Sequence, residues 1–504
     1  MQNLLLRNGT LIDGTGRRRI SGDLLIRGDR IAEVGSFAAP AEAQVIDCAG
    51  LVVAPGFIDA HSHSDLQVLA DRWEKCAQGV TTEVVGNCGF SAYPAPRDPS
   101  QLRQFANGIF CGDDHWAWPS AQEYLAAVSY SPMVSVASLV GHGSLRIAVA
   151  GHKLGRLSES EMQAMEELLA EAFAAGACGF STGLMYAPGS SAPPEELERL
   201  CRVAARHGKI HASHIRSYFS DLVAAVDEQI ELARRTGCRA QISHLQAVGA
   251  ANWSQQAPAI EHIEKARQSG IDIGFDCYPY TAGSTVLTQL LPQWVLDGGI
   301  DGMLARLSDL AERAFIAREI EGGIAWGWSD ILISAVSSRR NQDTVGKSLA
   351  AIAARRDCQP VDAMLDLLLE EHGDVNMLSF NQSEDNLRVT ITHPLSIIIS
   401  DGFYVRGRPH PRLYGTFPRL LGMICREQGW LEMEEAIRKV TDAPAIRFDL
   451  RNRGRLARGY FADVTVFDAA AIGSPATYEE PDRPPVGIRY VLRNGQILQA
   501  ATRP

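Results

Sequence analysis

The sequence predicts an α/β fold: a (β/α)8 TIM-like barrel carrying a small β-sandwich domain formed by both chain ends. Three observations predict it. Through the middle of the 504 residues, short apolar runs alternate with helical patterns. Eight of those runs end near Ala60, Val85, Val140, Gly183, His214, His244, Asp276 and Asp401. The two ends of the chain resemble each other and read as strands. A chain this long exceeds one ordinary core, so a large domain with a smaller companion is expected.

The ends come first. Leu6-Arg7-Asn8-Gly9-Thr10-Leu11 near the start is echoed by Leu492-Arg493-Asn494-Gly495-Gln496-Ile497 near the finish. Asn-Gly between apolar runs is a hairpin signal. Asp23-Leu24-Leu25-Ile26, Ile31-Ala32-Glu33-Val34 and Ala462–Phe467 add strand-like runs. Residues 1–56 plus 443–504 are therefore expected to form the small domain, and 57–442 the barrel. Helices are expected over 158–175, 194–207, 221–236 and 258–269. The first opens on a capping box, Ser158 to Glu161, and each meets a glycine at its end: Gly176, Gly208, Gly237 and Gly270. Residues 285–340, in the long gap before the eighth strand, read as an insertion over the barrel mouth. The competing arrangement is a doubly wound open sheet; the barrel is preferred because chemistry gathers at its strand ends.

Composition narrows the class. The chain is 46% hydrophobic and 21% charged, as expected of a soluble globular enzyme. Its net charge of −11 argues against a nucleic-acid partner. It also means that an anionic ligand would need a local cationic anchor. Ten dispersed cysteines form no disulfide framework and read as reduced thiols. No signal peptide and no apolar run of about 18 residues is evident, so a cytoplasmic protein without a membrane partner is expected. Monomer and homo-oligomer both remain open.

Residues able to bind metal collect at the strand ends. After Gly56-Phe57-Ile58-Asp59-Ala60 comes His61-Ser62-His63; residues two apart on extended chain face the same side and can share an ion. The second strand runs into Gly86-Asn87-Cys88-Gly89, a cysteine in a loop where packing alone would not need one. The fifth ends at His214, the sixth at His244, and the eighth runs into Asp401. Imidazole and thiolate suit zinc. Asp401 is expected to take a proton from activated water and pass it to a leaving nitrogen. Tyr186, after the fourth strand, is placed to hydrogen-bond a developing oxyanion. His142 is expected near the pocket, without a catalytic role.

With those motifs in view, the chain resembles the amidohydrolase superfamily, and within it the N-acyl-D-amino-acid deacylases (D-aminoacylases). The likeness extends through Gly141-His142-Gly143, His214-Ile215-Arg216, Tyr278-Pro279-Tyr280, Ser400-Asp401-Gly402 and His410-Pro411-Arg412-Leu413-Tyr414-Gly415-Thr416-Phe417. The resemblance implies a tight zinc on Cys88, His214 and His244, and a second, weaker metal position involving His61 and His63. It makes Asp401 a metal ligand as well as the general base and acid. It implies that Arg412, with Tyr278 and Ser284, holds a substrate carboxylate, as an arginine fork can. The fourth strand, Ala177-Cys178-Gly179-Phe180-Ser181-Thr182-Gly183, has no lysine, which agrees with a family in which cysteine replaces a carboxylated lysine.

One position departs from the family pattern. Gln246 stands where a lysine usually helps grip the carboxylate. The stretch Ser284–Leu291 carries no charge, which favours a neutral or apolar substrate side chain. The leading expectation is hydrolysis of a small N-acyl-D-amino-acid-like substrate. The alternatives are a metal-dependent cyclic amidase or D-dipeptidase-like hydrolase, and a non-catalytic metal-binding protein on the same scaffold.

Overall fold

The computed structural model describes residues 3–38, 40, 42–112, 115–324 and 326–498. Eight strands form the barrel sheet in sequence order: β1 (Phe57–Asp59), β2 (Val80–Val85), β3 (Ser135–Gly141), β4 (Gly179–Gly183), β5 (Ile210–His214), β6 (Arg239–Ile242), β7 (Ile273–Cys277) and β8 (Ser396–Ile398). Every neighbouring pair is parallel. β1 and β8 close the ring just beyond their ends. There Asp401 N–H donates to His61 O (2.8 Å) and His63 N–H to Gly402 O (2.9 Å). Closure thus brings the first and last functional segments of the sequence into contact.

A buried polar clamp holds that seam. Lys75 Nζ bonds Asp59 Oδ2, donates to Ser400 Oγ (2.8 Å) and lies 3.7 Å from Glu83 Oε2. Asp59 Oδ1 also accepts the Ser400 N–H (2.9 Å). Lys75, Asp59 and Glu83 are fully buried, so losing one partner strands charge away from water. Lys75→Met is expected to cost about 3–5 kcal/mol of stability. Urea unfolding checks this; an unchanged midpoint would show that the clamp does not hold the seam.

The helices follow the local signals. Glu159–Ala175 starts from a capping box in which Ser158 and Glu161 exchange side chain-to-backbone hydrogen bonds, and it ends at left-handed Gly176. Pro194–Arg206, Leu222–Thr236 and Gln256–Gln268 occupy the other expected places.

Both chain ends build one further sheet, in which Val464–Phe467 pairs with Val52–Pro55. The sequence at Val52–Ala60 reads as one strand, but the structure splits it at Gly56. Val52–Pro55 joins the outer sheet and Phe57–Asp59 the barrel. A side chain at Gly56 would meet Thr81 Oγ1 at 2.2 Å, so only glycine permits this close crossing. Asn8-Gly9 is not the expected hairpin: the strand Asn3–Leu11 continues through it with a register shift, and Asn8 is left-handed (φ 62°). Asn494-Gly495 does form a two-residue turn between paired Arg493 and Gln496.

The segment before β8 extends beyond 285–340. Ala282–Val286 and Ile331–Val336 flank a central strand, Val375–Phe380, with all pairs antiparallel. Helices including Gly299–Ser308 and Pro360–Glu370 pack with it around a core of their own. This body overhangs the C-terminal ends of the barrel strands.

Candidate active site

Five of the barrel strands deliver the donor groups. His61 and His63 follow β1, Cys88 follows β2, His214 ends β5, His244 follows β6 and Asp401 follows β8. None of the six is more than 6% exposed. Ligand atoms of His61, Cys88, His244 and Asp401 all lie within 4.8 Å of one another. Cys88 Sγ is 3.2 Å from His61 Nε2 and 3.4 Å from His244 Nε2. Asp401 Oδ1 is 3.3 Å from His61 Nε2 and 3.2 Å from His63 Nε2. His214 stands just outside this tightest group, with its ring 4.8 Å from that of His244.

The backbone is bent to achieve this. Cys88 (φ 52°), His244 (φ 35°) and Asp401 (φ 50°) adopt the left-handed region. Such conformations cost of order 1–3 kcal/mol each in non-glycine residues and collect at functional sites. The Cys88 loop also needs close packing. A side chain on Gly183 would meet Cys88 O at 1.9 Å, and one on Gly86 would meet Leu139 O at 2.1 Å.

Charge is concentrated here. Burial would push the Cys88 thiol up, but the imidazoles of His61 and His244 outweigh it and hold the thiol well below its ordinary range. Burial likewise opposes charge on Asp401, yet Arg412, His61 and His244 keep its carboxyl well below the usual carboxylate range. Burial works against protonation of His63, but Asp401 and Cys88 raise it to about 9. His214 is lowered, chiefly by burial. Neither ring nitrogen of His214 has a hydrogen-bond partner, and Nδ1 of His63 and of His244 also lack one. A thiolate, a carboxylate and buried unpaired imidazole nitrogens make a donor set that fits zinc.

A second wall faces the donors. Arg412 is buried; its Nη1 lies 2.9 Å from Asp401 Oδ2, its Nη2 donates to Ser284 O (3.2 Å), and its Nε has no partner. The guanidinium carbon sits 4.7 Å from the centre of the Tyr278 ring. The Tyr278 hydroxyl donates to Gln246 Oε1 (2.8 Å) and accepts from Gln382 Nε2 (2.9 Å). Arg412, Tyr278, Ser284 and Gln246 thus line the same cavity as the metal-type donors. Tyr186 lines it too, with its ring 4.9 Å from that of His214 and its hydroxyl 2.9 Å from Thr285 Oγ1. Burial pushes the Tyr186 phenol up, leaving it a neutral donor.

His142 is not at this cavity. It is buried with its Nε2 2.7 Å from Glu196 Oε1, beside Arg146. Two residues without a sequence-based role do matter. Asp276 accepts the His244 backbone N–H (2.7 Å) and lies 3.6 Å from His61 Nδ1, fixing the backbone at His244 and orienting the His61 imidazole. Its position at the end of β7, level with the other donors, was a readable signal. Gln382 comes from the overhanging body, and no local pattern marks it.

The amidohydrolase family model matches residues 44–499. The chain belongs to that family. This amidohydrolase is 38% identical to the N-acyl-D-glutamate deacylase of Alcaligenes xylosoxydans xylosoxydans, over 98% of this chain and 93% of the relative. The crystal structure of N-acyl-D-glutamate deacylase from Bordetella bronchiseptica holds zinc and a phosphonate inhibitor that mimics the tetrahedral intermediate of the reaction. It superposes with a TM-score of 0.84 at 35% identity, covering 99% of this chain and 97% of that one. A D-aminoacylase structure, described by a binuclear metal centre with one-metal activation and second-metal attenuation, gives a TM-score of 0.84 at 33% identity, covering 99% and 97%.

Proposed function

We propose that this amidohydrolase is a zinc enzyme that hydrolyses the amide bond of an N-acyl-D-amino acid with a neutral or apolar side chain, releasing a carboxylate and the free D-amino acid. The observation that carries the reading is one cavity with two faces: metal-type donors opposite a buried arginine with an unpaired Nε. The zinc-bound deacylase and the D-aminoacylase among its relatives support the reaction class. Cys88, His214 and His244 would hold the principal zinc, and His61 and His63, with Asp401, a second, weaker ion. When bound, zinc supplies Lewis acidity, which makes water a nucleophile at neutral pH and polarises a carbonyl.

The chain's own groups do the rest. Asp401, ionised and facing both His61 and Arg412, accepts the proton of the attacking water at a carboxylate oxygen and delivers it to the departing nitrogen. Tyr186 O–H donates to the oxygen of the reacting carbonyl as it gains charge. Arg412, Tyr278 and Ser284 receive the substrate carboxylate. Gln246 contributes neutral hydrogen bonding in place of a cation. Among the described residues lining the cavity, Arg412 is the one guanidinium and no lysine is present, which supports a neutral substrate side chain.

Gln246 also favours a second reading, in which the carboxyl is blocked, as in a D-dipeptide or a cyclic amide. A hydrolysis screen with zinc present separates the two, comparing N-acetyl-D-amino acids, their L enantiomers and carboxyl-blocked analogues. Preference for blocked or cyclic substrates would replace the deacylase reading. In the same assay Arg412→Ala is expected to lower kcat/KM for free carboxylates about 10–100-fold more than for carboxamides, the weight of a charge-assisted hydrogen bond. Equal losses on both would remove the anchor role.

A further inference from the structure

The barrel interior beneath the metal-type donors is polar. On β6, Ala240 and Ile242 pack toward the surrounding helices, so Gln241 between them points into the barrel. On β7, Ile273 and Phe275 do the same, which turns Gly274 and Asp276 inward. Barrel interiors are ordinarily filled by bulky branched side chains. Here the buried Gln241 amide lies over Gly274, its register partner. A side chain on Gly274 would meet Gln241 Oε1 at 3.2 Å and Arg447 Nε at 3.6 Å.

Both ends of that amide are committed. Nε2 donates to Asp276 Oδ2 (2.9 Å), and Oε1 accepts from Arg447 Nε (2.9 Å). Exchanging oxygen and nitrogen would set acceptor against carboxylate and donor against guanidinium, so the amide has one orientation. Arg447, at the end of the helix Asp442–Arg447, is itself held at the barrel floor: Nη1 bonds Asp272 Oδ1, and Nη2 bonds the carbonyl of Ala240. A hydrogen-bonded line thus runs from Asp272 through Arg447 and Gln241 to Asp276. Its last member meets the donors. Asp276 Oδ1 accepts the His244 backbone N–H (2.7 Å) and lies 3.6 Å from His61 Nδ1. With Nδ1 on that carboxylate, His61 Nε2 faces Cys88 Sγ at 3.2 Å and Asp401 Oδ1 at 3.3 Å.

We infer that Gln241, braced by Arg447, is a positioning residue of the metal centre; the inference rests on the zinc reading above. Among the described residues, Gln241 Nε2 is the hydrogen-bond donor to Asp276 Oδ2. Without it the carboxylate is free to turn about its Cβ–Cγ bond, and Oδ1 loses its fixed place between His61 and the His244 N–H. The His61 ring then samples orientations that point Nε2 away from the ion. The left-handed backbone at His244 loses its hold as well. An outer partner of a metal-binding histidine typically carries about 10–100-fold of metal affinity. Gln241 acts one bond further out, on two donors at once.

The test measures zinc retention by the full chain against a competing chelator, alongside thermal unfolding of the metal-free protein. Gln241→Met removes both hydrogen bonds at similar length. Gln241→Glu keeps the pair with Arg447 but sets an acceptor against Asp276, and it serves if the first variant does not fold. Arg239→Gln is the control: Arg239 bonds Asp272 and the Arg447 carbonyl, so its loss loosens the floor and leaves the Gln241 bonds in place. Expected for the Gln241 variants is a loss of zinc affinity of about 10-fold or more, with an altered d–d absorption when cobalt(II) replaces zinc. Arg239→Gln should keep wild-type values of both despite a lower Tm. Unchanged affinity and spectrum in the Gln241 variants overturn the positioning role and leave the zinc reading standing. An equal loss in Arg239→Gln also overturns it, since general loosening of the floor would then suffice. A wild-type protein that holds no zinc overturns both readings.

Discussion

Asp401→Asn is expected to lower kcat by about 10²–10⁴-fold while the protein still folds and retains metal. The carboxylate sits where both ends of the proposed reaction meet. Oδ1 faces His61 and His63, at 3.3 and 3.2 Å, and Oδ2 faces Arg412 at 2.9 Å. Its neighbours keep it ionised throughout the neutral range despite burial, so it is ready to accept a proton. Asparagine keeps the shape and one acceptor oxygen but cannot carry the proton from water to nitrogen. A steady-state assay paired with metal analysis decides the matter. Near-normal turnover would remove Asp401 from the base role. Lost turnover with lost zinc would make it chiefly a ligand.

Local chemistry made much of the fold legible. The helix Glu159–Ala175 is bounded by a capping box and a left-handed glycine, both readable within a few residues. Strand ends could be placed because four of the buried runs stop at His214, His244, Asp276 and Asp401 and a fifth runs into His61, and barrel geometry turns those ends toward one face. What stayed hidden depends on partners distant in sequence. Asn8-Gly9 has the same letters as Asn494-Gly495, yet one bulges within a strand and the other turns a hairpin, because only the first is paired along both arms with Ile20–Arg27. The break at Gly56 is set by Thr81, on the neighbouring strand β2. The overhanging body reaches Phe380 because Val375–Phe380 pairs antiparallel with two strands far upstream, although its apolar run reads like any barrel strand.

The site divides in the same way. Residue type and strand-end position were enough to bring His61, His63, Cys88, His214, His244 and Asp401 together. The finer grouping was not readable. The tightest set is His61, Cys88, His244 and Asp401, with His214 slightly apart. That arrangement depends on three left-handed backbone positions which no sequence pattern announces. Gln382 reaches Tyr278 only because the overhanging sheet folds back over the cavity.

Cys88→Ala tests the centre of that grouping, and the expected result is loss of tightly held metal. The thiolate is the one soft anionic donor among the six, and its Sγ lies within 3.4 Å of imidazole nitrogens on both sides. Removing an outer partner of a metal ligand typically weakens binding about 10–100-fold, so removing a ligand itself should exceed that. The imidazoles and Asp401 would remain, so a weak residual site is expected, saturable at high zinc. Metal content after dialysis against a competing chelator, compared with wild type, reads the change directly. Circular dichroism confirms that the barrel is intact, since alanine suits a position where the small thiol packs between glycine loops. Full zinc retention in the variant would move the principal ion onto His61, His63 and Asp401, and Cys88 would then be a packed thiol whose left-handed backbone has another cause.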